Sequence, residues 1–502
     1  MTSLREQALA PLSRADAERL LPELAGGRQT LERRVLRARC LKYLESFDLA
    51  WAELNAVLPL VKDPALHARV AVDLLHLSYY LVRREESHRL EAMAEQAAST
   101  DPLLLAELRL GSSIVRTAAN DVRAALTFAR RAEDALAAAP RGRSRDLVTT
   151  RVQRQLAHLL SHSGDYVGAA AAADATGKNA ARVGDAAEVA WATYTAGFVD
   201  WFAGRLDSAV DEFTRAEAAL RQYGSAVWRY TLLCLARARL ERGELSEGER
   251  LARQSATGAA EDHGHIALLR GEAEVADLIL TRSPKGFPED EHFRDFVRGI
   301  VRGQRGDPRR AIQMLDTAAR EFEARGMDHW SLGAAVHAAY WRESVVRGGG
   351  TSRAAHLVRD IGSRGGEGFA YYLPEVAAWV GRAAERDEGT RPLARTIRAR
   401  AEAALRRAKT DAGTAVGASA LDEATFSLRT MGLTWREIGI LREMEQLSRE
   451  GKRLDRASLA ARLGVSPNTL RVHLTRIRAK LDIAEKRGDE VLLQAALTQK
   501  PA

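Results

Sequence analysis

Residues 191–220, WATYTAGFVDWFAGRLDSAVDEFTRAEAAL, decide the fold. Two helical stretches flank a break at Gly204-Arg205-Leu206, with Gly197 before it and Ala209 and Ala216 after it. Small residues at such positions let two helices approach closely, as antiparallel packing in a helical hairpin requires. The same break recurs at Asn120-Asp121-Val122, Gly164-Asp165-Tyr166, Gly243-Glu244-Leu245 and Gly306-Asp307-Pro308, mostly about 40 residues apart. Five residues beyond these turn residues stand Ala125, Ala169, Gly248 and Ala311. A fixed period of helix pairs predicts a stack in which each pair buries its apolar face on its neighbours, with roughly eight to ten pairs between residues 1 and 410.

This stretch resembles the tetratricopeptide repeats: Gly197, Gly204, Leu206, Ala209, Phe213 and Ala216 stand at the signature positions, as do Gly299, Gly306, Ala311, Leu315 and Ala318 in a second unit. The long period is similar to the variant in MalT-like regulators. The units before Asn120 and after Gly350 are degenerate, and the interval from Gly243 to Gly306, which holds TRSPKGFPED at 281–290, reads as one interrupted or merged unit. The resemblance implies a superhelix whose concave face receives a peptide, a protein or a small molecule. The aromatic series Trp191, Tyr194, Phe198 and Trp201, with Trp228, Tyr230, Trp330, Tyr340 and Trp341 further on, is a candidate lining. Helical aromatics more often pack between repeats than touch a ligand.

With 502 residues, 46% hydrophobic content and 13 prolines, the chain has room for more than one packed core and for long helices. A net charge of +8 suits a polyanionic partner. Cys40 and Cys234 are too few for a disulfide framework or a cysteine zinc site and fit a reducing cytoplasm. The N-terminal segment has charges spread through it and lacks the apolar core of a signal peptide, and no run approaches the length of a membrane span. A soluble cytoplasmic protein without membrane contact is expected.

The repeat pattern ends in DAGTAVGASA at 411–420, whose small residues make 411–421 the candidate linker between a repeat domain at 1–410 and a C-terminal domain at 422–502. In that last part, residues 455–481 read DRASLAARLGVSPNTLRVHLTRIRAKL. Asp455 is placed to cap a short helix, Gly464 permits a left-handed turn, and Ser466-Pro467 reads as N-cap and first position of a second helix. Leu470, Leu474, Ile477 and Leu481 share one face of it. The opposite face carries Asn468, Val472, Thr475, Arg476 and Ala479 with Arg471 at its flank, and no acidic residue occurs from Arg456 through Leu481. Trp435, Ile438, Leu441 and Met444 supply the packing face of a helix beginning near Thr434. One α-helix fits a DNA major groove, where Arg, Asn and Thr read base edges and cations neutralise phosphates.

Here the sequence resembles the LuxR-type (FixJ-like) helix-turn-helix family through Leu433, Thr434, Arg436 and Glu437, then Leu459 and Ala460, then Ser466 to Arg471, His473, Ile477, Lys480 and Leu481. The resemblance implies a sequence-specific transcription regulator, with Arg471, Val472 and Thr475 as base-reading residues and Thr469, Arg476 and Lys480 on the DNA backbone. It also implies a homodimer on double-stranded DNA, to which the last helix could contribute Val491, Leu492 and Ala495. This chain departs from the pattern by about six additional residues before Ala460, among them Arg449, Gly451, Lys452 and Arg453. A winged helix of the OmpR-like kind shares the segment Val472–Leu481, but DIAEKRGDEVLLQAAL after Leu481 reads as a fourth helix and not as an aromatic hairpin.

No catalytic, metal or cofactor site is expected. GxxxxGK[ST] is missing, Gly177-Lys178 being only a fragment, so the ATPase module of MalT-like proteins is not expected. His158 with His162 and His263 with His265 lack a carboxylate context and read as core or surface histidines. Gly348 to Gly350 and the glycines near Gly365 read as helix connections. The fold expected is all-α, a tetratricopeptide-like superhelix followed by a helix-turn-helix domain, in a non-enzymatic regulator. The alternatives are an interaction scaffold whose C-terminal helices contact RNA polymerase or another protein, and a repeat-type enzyme or phosphatase regulator.

Overall fold

The computed structural model describes residues 3–497 except 27, 82, 226, 256–259, 283–290, 347, 415–427, 429–432, 434, 451–454, 464–466 and 484–487. Among the described residues the chain is all-α, with 26 helices and no strand. They form two compact units, one of Met1–Leu235 with Phe322–Trp330 and Arg364–Gly368, the other of Ala236–Glu321, Ser331–Ser363 and Phe369–Ala502.

The deciding stretch folds as its pattern dictates. Asp185 starts the helix Ala186–Phe202 by accepting the backbone N–H groups of Ala187 (2.8 Å) and Glu188 (3.3 Å). Gly204 ends it at φ +79°, and the N–H of Arg205 closes the turn on the carbonyl of Asp200 at 2.8 Å. The chain then re-enters helix at Leu206–Gln222, where Ala209, Phe213 and Ala216 are fully buried. A methyl group on Gly197 would stand 3.0 Å from the Phe213 ring and 3.1 Å from Glu212 Cβ, so the two backbones lie as close as a glycine allows.

The same closing bond, five residues back, recurs at every expected break. It joins Asp121 to Arg116 (3.0 Å), Asp165 to Leu160, Glu244 to Arg239 and Asp307 to Arg302 (each 2.9 Å). The degenerate N-terminal units use it without glycine: Ser46 bonds to Leu41 at 2.9 Å, with Glu45 holding the left-handed φ of +63°. The long interval after Gly243 is not an interrupted unit. It contains a further hairpin, Ala260–Leu269 with Ala273–Arg282, closed by Glu272 on Ala267 at 2.8 Å, and Ala276 is fully buried five residues beyond Gly271. The break escaped the pattern because Ala273 stands where the other turns carry a larger side chain. Of the 26 helices, 22 lie up to Thr414, two more than ten pairs supply.

The expected linker begins too early. The helix Arg391–Thr414 runs through Asp411, whose carboxylate accepts the N–H of Ser246 at 2.5 Å, at the start of Leu245–Ser255. An anion at a helix N-terminus satisfies an otherwise orphan donor, which ties Asp411 to the start of Leu245–Ser255. Residues 415–421 lie outside the described residues.

The C-terminal residues have their own apolar cluster. Ile438, Leu441 and Met444 of the helix Trp435–Arg449 meet Leu470, Leu474 and Ile477 of Pro467–Lys480 and Leu492, Leu493 and Ala496 of Asp489–Leu497. Each of the Leu, Ile and Met side chains contributes about 1.5–3 kcal/mol on burial. Asp455 caps Arg456–Arg462 by accepting the N–H of Ser458 at 2.9 Å. The turn residues Gly464 and Ser466, and the side chains of Trp435, Thr469 and Ala495, lie outside the described residues. No described helix is long and apolar enough to cross a membrane.

Candidate functional site

Two surfaces carry candidate chemistry. On the helix Pro467–Lys480, Leu470, Leu474 and Ile477 are buried while Asn468, Arg471, Val472, Thr475, Arg476 and Ala479 are exposed, so the expected division of faces is present. The Arg471 guanidinium bonds to Asn468 Oδ1 at 3.0 Å, one helical turn back. Not every cation of this helix faces outward. Arg478 is buried and paired with Asp489, and Lys480 donates to the buried Glu437 carboxylate at 2.6 Å. Lys480 therefore neutralises an internal acid instead of standing free for a phosphate. Arg476 donates to the carbonyl of Gly306 at 3.3 Å, at the turn between Glu291–Gln304 and Pro308–Ala324. Of the last-helix residues expected at a dimer contact, Leu492 is fully buried and Val491 is 40% exposed.

The second surface lies inside the first unit, where sequence reasoning named only Trp191 and Tyr230. A cavity of about 320 Å³ is walled by the first helices of six successive hairpins: Leu31–Tyr43, Pro64–Tyr80, Pro102–Ala118, Arg143–His162, Ala186–Phe202 and Val227–Glu241. Arg14, Phe47 and Leu220 complete the lining from other helices of the same unit. Phe47 and Tyr80 stack at 4.4 Å on its wall, and Tyr80 and Tyr230 are 45% and 41% exposed. Tyr194, Phe198 and Trp201 are buried between repeats, as are Trp330 and Trp341.

Its charges are organised as two trios. Glu188 holds Arg151 by two bonds to Oε1 (2.8 and 3.0 Å) and Arg154 by one to Oε2 (3.3 Å). Arg151 also donates to the Tyr43 hydroxyl at 3.0 Å and to the Leu12 carbonyl at 2.8 Å. Behind the wall, the fully buried Asp73 takes both Arg39, at 2.7 Å, and Lys42. Burial opposes the charge of Asp73, yet Lys42 and Arg39 hold its carboxyl well below the usual range. Lys42 lies 3.3 Å from His76 Nδ1, and His76 Nε2 is 2.9 Å from the Glu107 carbonyl. An ammonium only donates, so Nδ1 accepts and Nε2 carries the proton. Burial, then Lys42, pushes His76 down to about 3 and keeps it neutral.

Of the histidines singled out in the sequence, His158, His162 and His263 are half-buried. Trp330 Nε1 donates to His162 Nδ1 at 2.9 Å, and the Tyr166 hydroxyl is 2.7 Å from His329 Nδ1. Burial lowers His158, His162 and His329 to about 3, about 4 and about 3. His265 is fully buried. Among the described residues no group of His, Cys, Asp and Glu is placed to hold a metal ion.

These features define an all-α protein of stacked helical hairpins with a small C-terminal helical module. No family model and no curated protein matches the sequence. Among solved structures, the chain is similar to a Rap protein complexed with competence and sporulation factor, at 10% identity and a TM-score of 0.41 over 76% of this chain and 99% of that one. It is also similar to the APC/C hetero-tetramer Cut9-Hcn1, at 13% identity and a TM-score of 0.31 over 77% of this chain and 87% of that one.

Proposed function

We propose that the chain is a non-enzymatic, DNA-binding transcription regulator whose hairpin stack receives a peptide, protein or small-molecule signal. The observation that carries the reading is the helix Pro467–Lys480, anchored by Leu470, Leu474 and Ile477 and presenting Arg471, Val472, Thr475 and Arg476 to solvent on an acid-free face. That combination suits base edges and phosphates in a major groove. The bond from Arg476 to Gly306 supplies a route for control, because a cation engaged by the repeat region is withdrawn from DNA until the contact parts. Selecting bound fragments from a random genomic pool with the purified full chain tests the reading. A shared sequence should be enriched, protected over two half-sites about one helical turn apart. Recovery without any common sequence, or equal losses on selected and random DNA for Arg471→Ala, would sink it.

A second reading is an interaction scaffold whose C-terminal helices contact RNA polymerase or another protein. It is favoured by the internal neutralisation of Arg478 and Lys480, which leaves Arg471 and Arg476 as the outward cations of that helix. Retention of a protein partner with no retention of DNA in the same experiment would select it.

A further inference from the structure

The cavity of the first unit carries more positive charge than its own residues neutralise. Glu188 is shared by two guanidiniums, and Asp73 by a guanidinium and an ammonium, so each trio keeps an excess of one positive charge. In the first trio the excess falls on Arg154, held by a single 3.3 Å bond where Arg151 has two shorter ones, and more exposed than it, at 22% against 10%. Arg154 lies over the Trp191 ring at 4.6 Å, a placement that fixes the guanidinium beside an aromatic face. In the second, the Lys42 ammonium has three donors; Asp73 and His76 take two. The remaining carboxylate of the wall, Glu45, accepts from the Ser225 hydroxyl at 2.5 Å and stands 3.7 Å from Arg14. Glu107 is matched by Arg69 at 2.7 Å.

A half-enclosed site with uncompensated cations concentrates anions, and its aromatic walls bury a flat apolar body. The volume of about 320 Å³ admits one aromatic residue's worth of ligand and little more. We infer that this cavity binds a carboxylate carried next to an aromatic ring, with Arg154 and Lys42 as the anion-binding residues and Trp191, Phe47 and Tyr80 as the aromatic walls. Two sources share that chemistry: a free aromatic acid, and the C-terminal residue of a peptide. The inference deepens the reading of the hairpin stack as a signal receiver. It is measured by ligand binding alone, so its failure leaves DNA binding untouched, and the reverse.

The test is calorimetric titration of the full chain with 3-phenylpropionate, its amide, and 3-phenylpropylamine. The acid should bind and the amide should bind at least about tenfold more weakly, since it keeps the shape and loses the charge. The amine should not bind. Arg154→Gln should lower affinity for the acid by about tenfold and leave the amide unchanged, and Arg154→Lys, which keeps the charge but loses the planar contact with Trp191, should restore only part of the loss. The same titration with the tripeptide Gly-Gly-Phe, free and C-terminally amidated, separates the sources. Tighter binding of the free peptide than of 3-phenylpropionate assigns the site to a peptide end, and the opposite order to a free acid. Equal affinity for acid and amide, tighter binding of the amine, or no heat from either acid up to about 5 mM overturns the proposal.

Discussion

The chain places its cations in two opposite ways. On the helix Pro467–Lys480, Arg471 and Arg476 stand in solvent on a face without acids, whereas in the first unit Arg39, Lys42 and Arg151 are buried and held by Asp73 and Glu188. An exposed cation costs the fold little, and one held only by a surface contact, as Arg476 is by the Gly306 carbonyl, is easily released to a large anionic partner. A buried one is tolerated only with its counter-charge and hydrogen bonds in place, and so becomes part of a fixed, small site. A basic composition thus serves two unlike purposes in one chain, and net charge alone distinguishes neither.

The largest expected effect attacks the buried set. Asp73→Ala leaves Arg39 and Lys42 without their shared carboxylate and should cost about 3–5 kcal/mol in urea unfolding. A loss below about 1 kcal/mol would show that the buried cations do not depend on pairing, and the contrast would collapse. Next comes acid. His162 accepts from the Trp330 N–H, so protonating it would set donor against donor, and burial holds it at about 4. A folded-state value below the unfolded one near 6.5 means that the unfolded chain takes up the proton first. Stability present above that pH is therefore lost as pH falls from about 6.5 towards 4, by about 2 kcal/mol at pH 5 for this histidine. Urea midpoints at pH 7 and pH 5 should differ, and less so in His162→Gln; identical midpoints would contradict a neutral imidazole held by the Trp330 N–H.

The exposed set should behave differently. Arg471→Ala should cost about 1–3 kcal/mol on a selected site, while Arg476→Ala should weaken all sequences alike and reduce the salt dependence. Lys480→Ala should act mainly through stability, because it removes the ion pair with the buried Glu437. Salt titrations of DNA binding that flatten more for Lys480→Ala than for Arg476→Ala would reverse the assignment. The smallest effect is Asp455→Ala, which removes the cap of Arg456–Arg462 and should cost about 1 kcal/mol of the stability of the C-terminal residues. Unchanged thermal unfolding would mean that the cap contributes nothing there.

The two sets also differ in how far the sequence discloses them. Leu470, Leu474 and Ile477 repeat at helical spacing, so the burial of one face and the exposure of Arg471 and Thr475 follow from local periodicity. The hairpin turns are equally local, each closing over six residues. The pairing of Lys42 with Asp73, or of Arg151 with Glu188, joins residues more than 30 positions apart, and no spacing rule reports it. One signal was present: Arg69, Asp73 and His76 interrupt the otherwise apolar run ARVAVDLLHL of Pro64–Tyr80, and polar groups inside such a run need partners. The pairing of Lys480 with Glu437 is hidden in the same way, since the two lie on different helices.

Hairpins closed by local bonds form as soon as their residues leave the ribosome, and a stack of them has low contact order. Yet the first unit includes Phe322–Trp330 and Arg364–Gly368, which are translated well after Leu235. His162 and Tyr166 must wait for Trp330 and His329. At ordinary elongation rates that delay is on the order of ten seconds, during which Phe202, His162 and Tyr166 lack their later-made partners His329 and Trp330. The nascent chain thus passes through a stage with a sticky, aromatic surface, and premature termination between residues 235 and 322 would leave a fragment fixed in it.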